Sequence, residues 1–195
     1  MDDYTTAGLL PLIESEKGKR LMELEDPYSY RQIITMPKLI ILGTNDRYWS
    51  QDALNLYWDG LVGPKWVAYI HNSGHGLEDR GRVLNVLAAF IRAQGQSKPL
   101  PVPKWAYSPT PDGVRLAVTS DAPAKAARLF YVTAPTRDFR DQKWQSREMD
   151  GQGTKFTAAY ARPDKGYAAV YGEVYYERDG KSFTLTTQIR ILGTP

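Results

Sequence analysis

The sequence predicts a chain of two parts, α/β first and all-β second. Three observations carry that prediction. Residues 1–97 hold short continuous apolar runs alternating with helical patterns. Residues 105–195 instead alternate apolar and polar positions with a period of two. Between them, in the stretch Gln96–Lys104, lie three prolines, which favour an extended connection over a packed element. We place a linker at 98–104 and a domain on either side of it.

In the first part, Leu39-Ile40-Ile41-Leu42 follows Pro37 as a continuous apolar run, which suits a strand covered on both faces. The turn-rich GTNDRYW comes next, and Ser50 stands where it could cap a helix from Gln51 to Trp58, ended by Gly60 and Gly63-Pro64. Trp66–Ile70 is the second apolar run. Glu78–Ala93 reads as an amphipathic helix with Leu84, Leu87 and Ile91 on one face and Val83, Val86 and Phe90 alongside. Strand, crossover helix, strand and helix form the unit of a parallel sheet. Two parallel strands with both faces apolar are too few to stand alone. We therefore expect an oligomer, or a preceding N-terminal segment, to cover the open sheet edge.

In the second part, Val114, Leu116 and Val118 alternate with Arg115, Ala117 and Thr119. Phe156–Tyr160, Tyr167–Tyr176 and Phe183–Ile191 follow the same rule. Turn signals stand at Pro111-Asp112-Gly113, at Pro163–Gly166 and at Asp179-Gly180, the last a hairpin signal. Six or seven short strands separated this way predict a small antiparallel β-sandwich of immunoglobulin- or fibronectin-like type. The Tyr and Trp residues there serve cross-strand packing or, alternatively, a ligand platform.

Composition narrows the function classes. Apolar residues make up 42% and charged residues 24% of 195, ordinary for a globular protein. A net charge of +3 with scattered Lys and Arg lacks the basic stripe of a nucleic-acid binder. Cysteine is absent, which removes disulfides, thiolate nucleophiles and cysteine zinc sites. No apolar run is long enough to cross a bilayer. The first residues, MDDYTTAGLL, are acidic where a signal peptide is basic. Nothing in the pattern asks for a cofactor.

The residues with chemistry follow the two apolar runs. Asp46 lies in the turn after the first, and His75, in Asn72-Ser73-Gly74-His75-Gly76, lies after the second. Loops at the carboxyl ends of neighbouring parallel strands sit side by side. The 28 residues between Asp46 and His75 suit one crossover. Such an aspartate can accept the imidazole Nδ1–H and leave Nε2 free as a general base. The plain alternative is a surface Asp paired with Arg47 and a loop His bonded to backbone. Ser73 shapes the loop or, less simply, acts as nucleophile. His71 and His75 have the i, i+4 spacing of a zinc pair, but Gly74 and a strand end intervene. Arg80 either belongs to a solvated helix face with Glu78, Asp79 and Arg82 or contacts an anionic substrate. Trp49 and Tyr48 either wall a substrate pocket or pack beneath the helix.

The segments DPYSYR, MPKLI, GTNDRYW, ALNLYWDGL, GPKW and NSGHGLEDRGR resemble the PhoPQ-activated pathogenicity-related family. The resemblance is strong over roughly residues 22–100 and looser through the β-rich tail. It implies that the first part is the C-terminal portion of an α/β-hydrolase-type sheet, with Asp46 as triad acid and His75 as triad histidine. The family's nucleophile lies upstream in a Gly-Ala-Ser-Lys-Arg-Gly type motif that this sequence does not contain. In this fold the serine precedes the acid; only Ser15 and Ser29 precede Asp46, and neither has elbow glycines. The resemblance thus implies a serine hydrolase of small-molecule esters or of amides such as peptides, whose nucleophile is missing here, leaving this chain inactive alone. It also implies an extracytoplasmic, virulence-associated protein. The different class of function is a non-catalytic module binding partners through its β-sandwich.

Overall fold

Each apolar run of the first part becomes a strand in the computed structural model, which describes residues 2–194. Helices α1 (Asp2–Thr6), α2 (Leu10–Ile13) and α3 (Glu16–Glu25) come first. Ser15 caps α3, its Oγ accepting from the Gly18 N–H at 3.1 Å. Among the described residues α2 and α3 bury none, and Leu12, Leu21 and Leu24 lie exposed.

Strands β1 (Lys38–Gly43) and β2 (Lys65–Ile70) pair in parallel, Lys38 opposite Lys65 and Gly43 opposite Ile70. The helix expected at Gln51–Trp58 is not an α-helix but a 3-10 turn, Ala53–Leu56, set among turns. Ser50 donates its hydroxyl to the Asp52 carboxylate and caps no backbone amide. The turn instead drops Leu54 and Trp58 into the core, while Asn55 Nδ2 donates to the Ile189 carbonyl at 2.9 Å.

Helix α4 (Arg80–Gly95) begins where Asp79 Oδ1 accepts from the Arg82 N–H. Its apolar face is not the expected one. Leu84, Leu87 and Ile91 face solvent, and Val86, Ala89 and Ala93 are buried. The helix lies mainly on strand β9 (Lys181–Thr186). The two alanines permit a close approach there, and Arg82, one turn before Val86 on the same face, reaches Glu173.

The proline-rich connection is packed along part of its length. Leu100 is 1% exposed, the Pro101 carbonyl accepts from Trp66 Nε1 at 2.8 Å, and Pro103 already opens the next strand, β3 (Pro103–Thr110). Both buried apolar clusters draw on residues from either side of it.

Beyond it the strands are β3 (Pro103–Thr110), β4 (Gly113–Ala124), β5 (Ala126–Ala134), β6 (Gln145–Glu148), β7 (Asp150–Ala161), β8 (Gly166–Arg178), β9 and β10 (Arg190–Thr194). One antiparallel sheet runs β3-β4-β7 and the other β10-β8-β5-β6, with β9 also on β8. The expected six or seven short strands are thus eight among the described residues, two of them of 12 residues and one of 13. Asp179 and Gly180, both at positive φ, close the predicted β8–β9 hairpin. The Phe183–Ile191 alternation is split into two strands. Glu173 faces Thr186 and Val170 faces Arg190, so one extra residue is absorbed as a bulge. The sheets share one core, and at Gly172 they approach so closely that a Cβ would sit 2.9 Å from the Leu116 side chain. The molecule is a mixed α/β chain with mostly antiparallel sheets, few helices and one parallel pair.

Candidate active site

The acid and histidine loops leave the ends of β1 and β2 side by side. Gly43 ends β1 beneath the second loop, and a Cβ there would meet the Ser73 and Gly74 carbonyls at 2.4 and 2.3 Å. Only glycine lets the loops approach this closely. The Asn45 N–H donates to the Ser73 carbonyl at 2.9 Å and the Asn72 N–H to Thr44 Oγ1 at 2.9 Å.

Asp46 is 7% exposed, and both carboxylate oxygens are engaged. Oδ1 accepts from the Tyr48 N–H at 2.7 Å and the Trp49 N–H at 3.2 Å. Oδ2 lies 3.0 Å from His75 Nδ1. With Nδ1–H donating, the ring's Nε2 is the basic nitrogen. The His75 side chain is 55% exposed, and the Tyr48 ring lies 4.8 Å from its centroid. A buried, oriented carboxylate thus holds an accessible imidazole, the arrangement a general base requires.

Glycine supplies room, not φ, around His75. The left-handed residues of this loop are Asn72 and Leu77, at φ 53° and 50°, rather than Gly74 or Gly76. A Cβ on Gly76 would come within 2.8 Å of the Glu78 carboxylate, which accepts from the Gly74 N–H at 2.7 Å. Bonds to its own N–H and to that of Gly74, with the charge of Arg80, hold the Glu78 carboxyl below its ordinary value.

The side chains of the other candidates make different contacts. Trp49 is 52% exposed and lines a hollow of about 340 Å³ with Tyr28, Leu42, Leu54, Tyr57 and Leu61. Arg80 lies exposed in the first turn of α4. Ser73 is buried, its Oγ accepting from the Asp79 N–H at 3.3 Å. His71 turns away onto Phe130, with ring centroids 4.7 Å apart. Its burial, and then the Arg82 charge, lower its basicity.

Sequence reasoning missed a third contributor, the segment between β5 and β6. Asn45 Nδ2 is within hydrogen-bonding distance of the carbonyls of Phe139, Arg140 and Gln142, at 3.5, 3.0 and 2.7 Å. Asn72 exchanges two bonds with the Trp144 backbone. Backbone acceptors have no residue signature. The one available hint was an Asn immediately before the acid and another at the turn, where left-handed backbone favours Asn. Arg137, Asp138 and Arg140 face Asp46, Arg47 and Tyr48 across a cleft of about 280 Å³. Arg140 holds the Asp138 carboxyl down at about 2.

Over 202 aligned residues the chain is 23% identical to "Autocrine proliferation repressor protein A" of Dictyostelium discoideum, covering 90% of this chain and 40% of that protein. The chain therefore spans about 40% of the length of that curated relative. A family model described as PhoPQ-activated pathogenicity-related protein matches residues 1–140, a stretch that holds both Asp46 and His75. On that match over most of its length, the chain belongs to the PhoPQ-activated pathogenicity-related protein family.

Proposed function

We propose that these residues carry the acid–histidine half of a serine-hydrolase site of α/β-hydrolase type, cleaving an ester or amide once a serine from outside them completes it. The observation that supports this best is the 3.0 Å contact from His75 Nδ1 to a buried Asp46 whose other oxygen is bound by backbone. In the completed site, Nε2 takes the serine hydroxyl proton as the oxygen attacks the substrate carbonyl carbon. Asp46 stabilises the imidazolium, which then protonates the leaving group. The hollow beside Trp49 takes an apolar part of the substrate, and Arg80 an anionic one. On this reading residues 1–97 close an α/β-hydrolase-type sheet, 98–104 connect, and 105–195 form an immunoglobulin-like sandwich. The whole protein works outside the cytoplasm.

A fluorophosphonate probe tests the proposal. The chain of 195 residues should not be labelled. Labelling abolished by His75→Ala would place the nucleophile inside it and overturn that part of the reading. A longer form with a serine elbow should be labelled, and His75→Ala should slow that by about 10⁴-fold or more. Equal labelling with and without His75 would sink the hydrolase reading.

Two observations favour a second reading, that of a non-catalytic interaction protein. Leu84, Leu87 and Ile91 form an exposed stripe, and among the described residues β1 pairs on one edge only. A second copy, or another segment, would cover both. A chain that never labels in any form and self-associates through α4 would support it.

A further inference from the structure

We infer that the β5–β6 segment, Pro135–Trp144, is a wall of the acid–histidine site, and that Asn45 and Asn72 are positioning residues that set the two loops against it. The inference rests on the acid–histidine reading above and adds its third element.

The contacts are specific. One side-chain amide, adjoining the acid, is surrounded by three carbonyls of the segment. Its own Oδ1 accepts from Thr44 Oγ1 at 2.8 Å, which fixes the amide's orientation. The second amide makes a two-bond rung with Trp144: Asn72 Nδ2 donates to the carbonyl at 3.2 Å, and the Trp144 N–H donates to Asn72 Oδ1 at 2.7 Å. Asn72 stands three residues before His75 at φ 53°. Phe139 and Trp144, 1% and 3% exposed, anchor the segment in the core. The acid loop and the histidine loop are thus each tied to one strip of backbone, and Arg47 pairs with Asp141 at its outer rim.

Two consequences follow. The relative placement of Asp46 and His75 depends on a segment more than 60 residues further along the chain. The cleft beside Asp46 is also walled by paired charges, Arg137 with Asp52 and Arg140 with Asp138. That surface suits a polar, hydrogen-bonding portion of a substrate, in contrast to the apolar hollow beside Trp49.

The test reads His75 directly and needs no activity. Ring ¹⁵N shifts of His75 and amide exchange across residues 137–144 are recorded for the protein, Asn45→Ala, Asn45→Asp and Asn72→Ala, with circular dichroism as the fold control. We expect exchange at Gln142 and Trp144 to quicken tenfold or more, and the His75 nitrogens to move toward a tautomer mixture. Asn45→Asp should behave as the alanine variant, because every contact from Asn45 to the segment is donated. Lys125→Ala, which removes an exposed pair with Glu177 outside the segment, should leave both readouts in place. Faster exchange with unmoved His75 nitrogens would make the segment a structural anchor alone and overturn the positioning claim. Coupling is reciprocal. Asp46→Asn, which keeps its shape, should therefore shift the Gln142 and Trp144 amide signals even if an asparagine variant does not fold, and unmoved signals would also overturn the claim. If Asp46→Asn leaves the His75 nitrogens unchanged, the acid–histidine reading fails and takes this one with it. Failure of the asparagine variants alone removes only the positioning role.

Discussion

Strand β2 is buried from Trp66, at 3% exposed, to Ile70, at 0%, whereas its parallel partner β1 is only half-buried from Lys38 to Leu42. Both are continuous apolar runs, and both have packed faces. They differ at their outer edges. Beside β2, Thr186 of β9 seals the edge with one hydroxyl, accepting from the Tyr69 N–H at 3.2 Å and donating to the Val67 carbonyl at 3.3 Å. Among the described residues, no strand stands beyond β1. Apolar composition marks a strand's appetite for cover; a neighbour at the edge decides whether it is met.

The sealed side also holds the one change we expect to be most damaging. Glu173, fully buried, pairs with Arg82 of α4; burial disfavours the guanidinium charge, but the charge and hydrogen bond of Glu173, with Tyr175, together hold its pKa above the ordinary value. Arg82→Met strands a buried carboxylate, and urea unfolding should show a loss of about 3–5 kcal/mol. Adding Glu173→Leu should restore most of it, since the lone charge is then gone.

Side-chain truncation should cost more on the sealed side than on the open one. Leu185→Ala in β9, at 0% exposed, should cost about 2–5 kcal/mol. Leu39→Ala in half-buried β1 should cost clearly less by the same measurement. Equal losses would mean that β1 is covered as well as β9.

Acid should act on the sealed side through His71, at the end of β2. Its proton affinity is lowered by burial and then by Arg82. The unfolded chain therefore binds that proton more readily below the ordinary histidine value of about 6.5, and stability falls as pH drops through that window. In His71→Phe, which keeps the stacking on Phe130, the melting temperature should fall less between pH 7 and 5. The smallest effect belongs to the solvent face of α4. Leu84→Gln on the outer stripe of α4 should change stability by no more than about 0.5 kcal/mol.

These contrasts show what local sequence can say. Asp46 and His75 were legible because each follows an apolar run, and a parallel pair brings such loops together. The Asp179-Gly180 hairpin was legible because both residues tolerate positive φ. The buried face of α4 was not. Its sequence carries two helical stripes, Leu84/Leu87/Ile91 and Val86/Ala89/Ala93, and the larger side chains suggest the wrong one. Space against β9 selected the smaller. The bulge before β10 and the amide ties of Asn45 and Asn72 were likewise hidden, because their partners are backbone groups distant in the chain.

The acid–histidine pair is the centre of the account, and the ring ¹⁵N spectrum of His75, taken where the ring is neutral, tests it most directly. We expect the Nδ1–H tautomer in the protein, with Nε2 unprotonated, and a shift toward Nε2–H in Asp46→Asn. An Nε2–H ring in the unmodified protein, or identical spectra for the two, would contradict it.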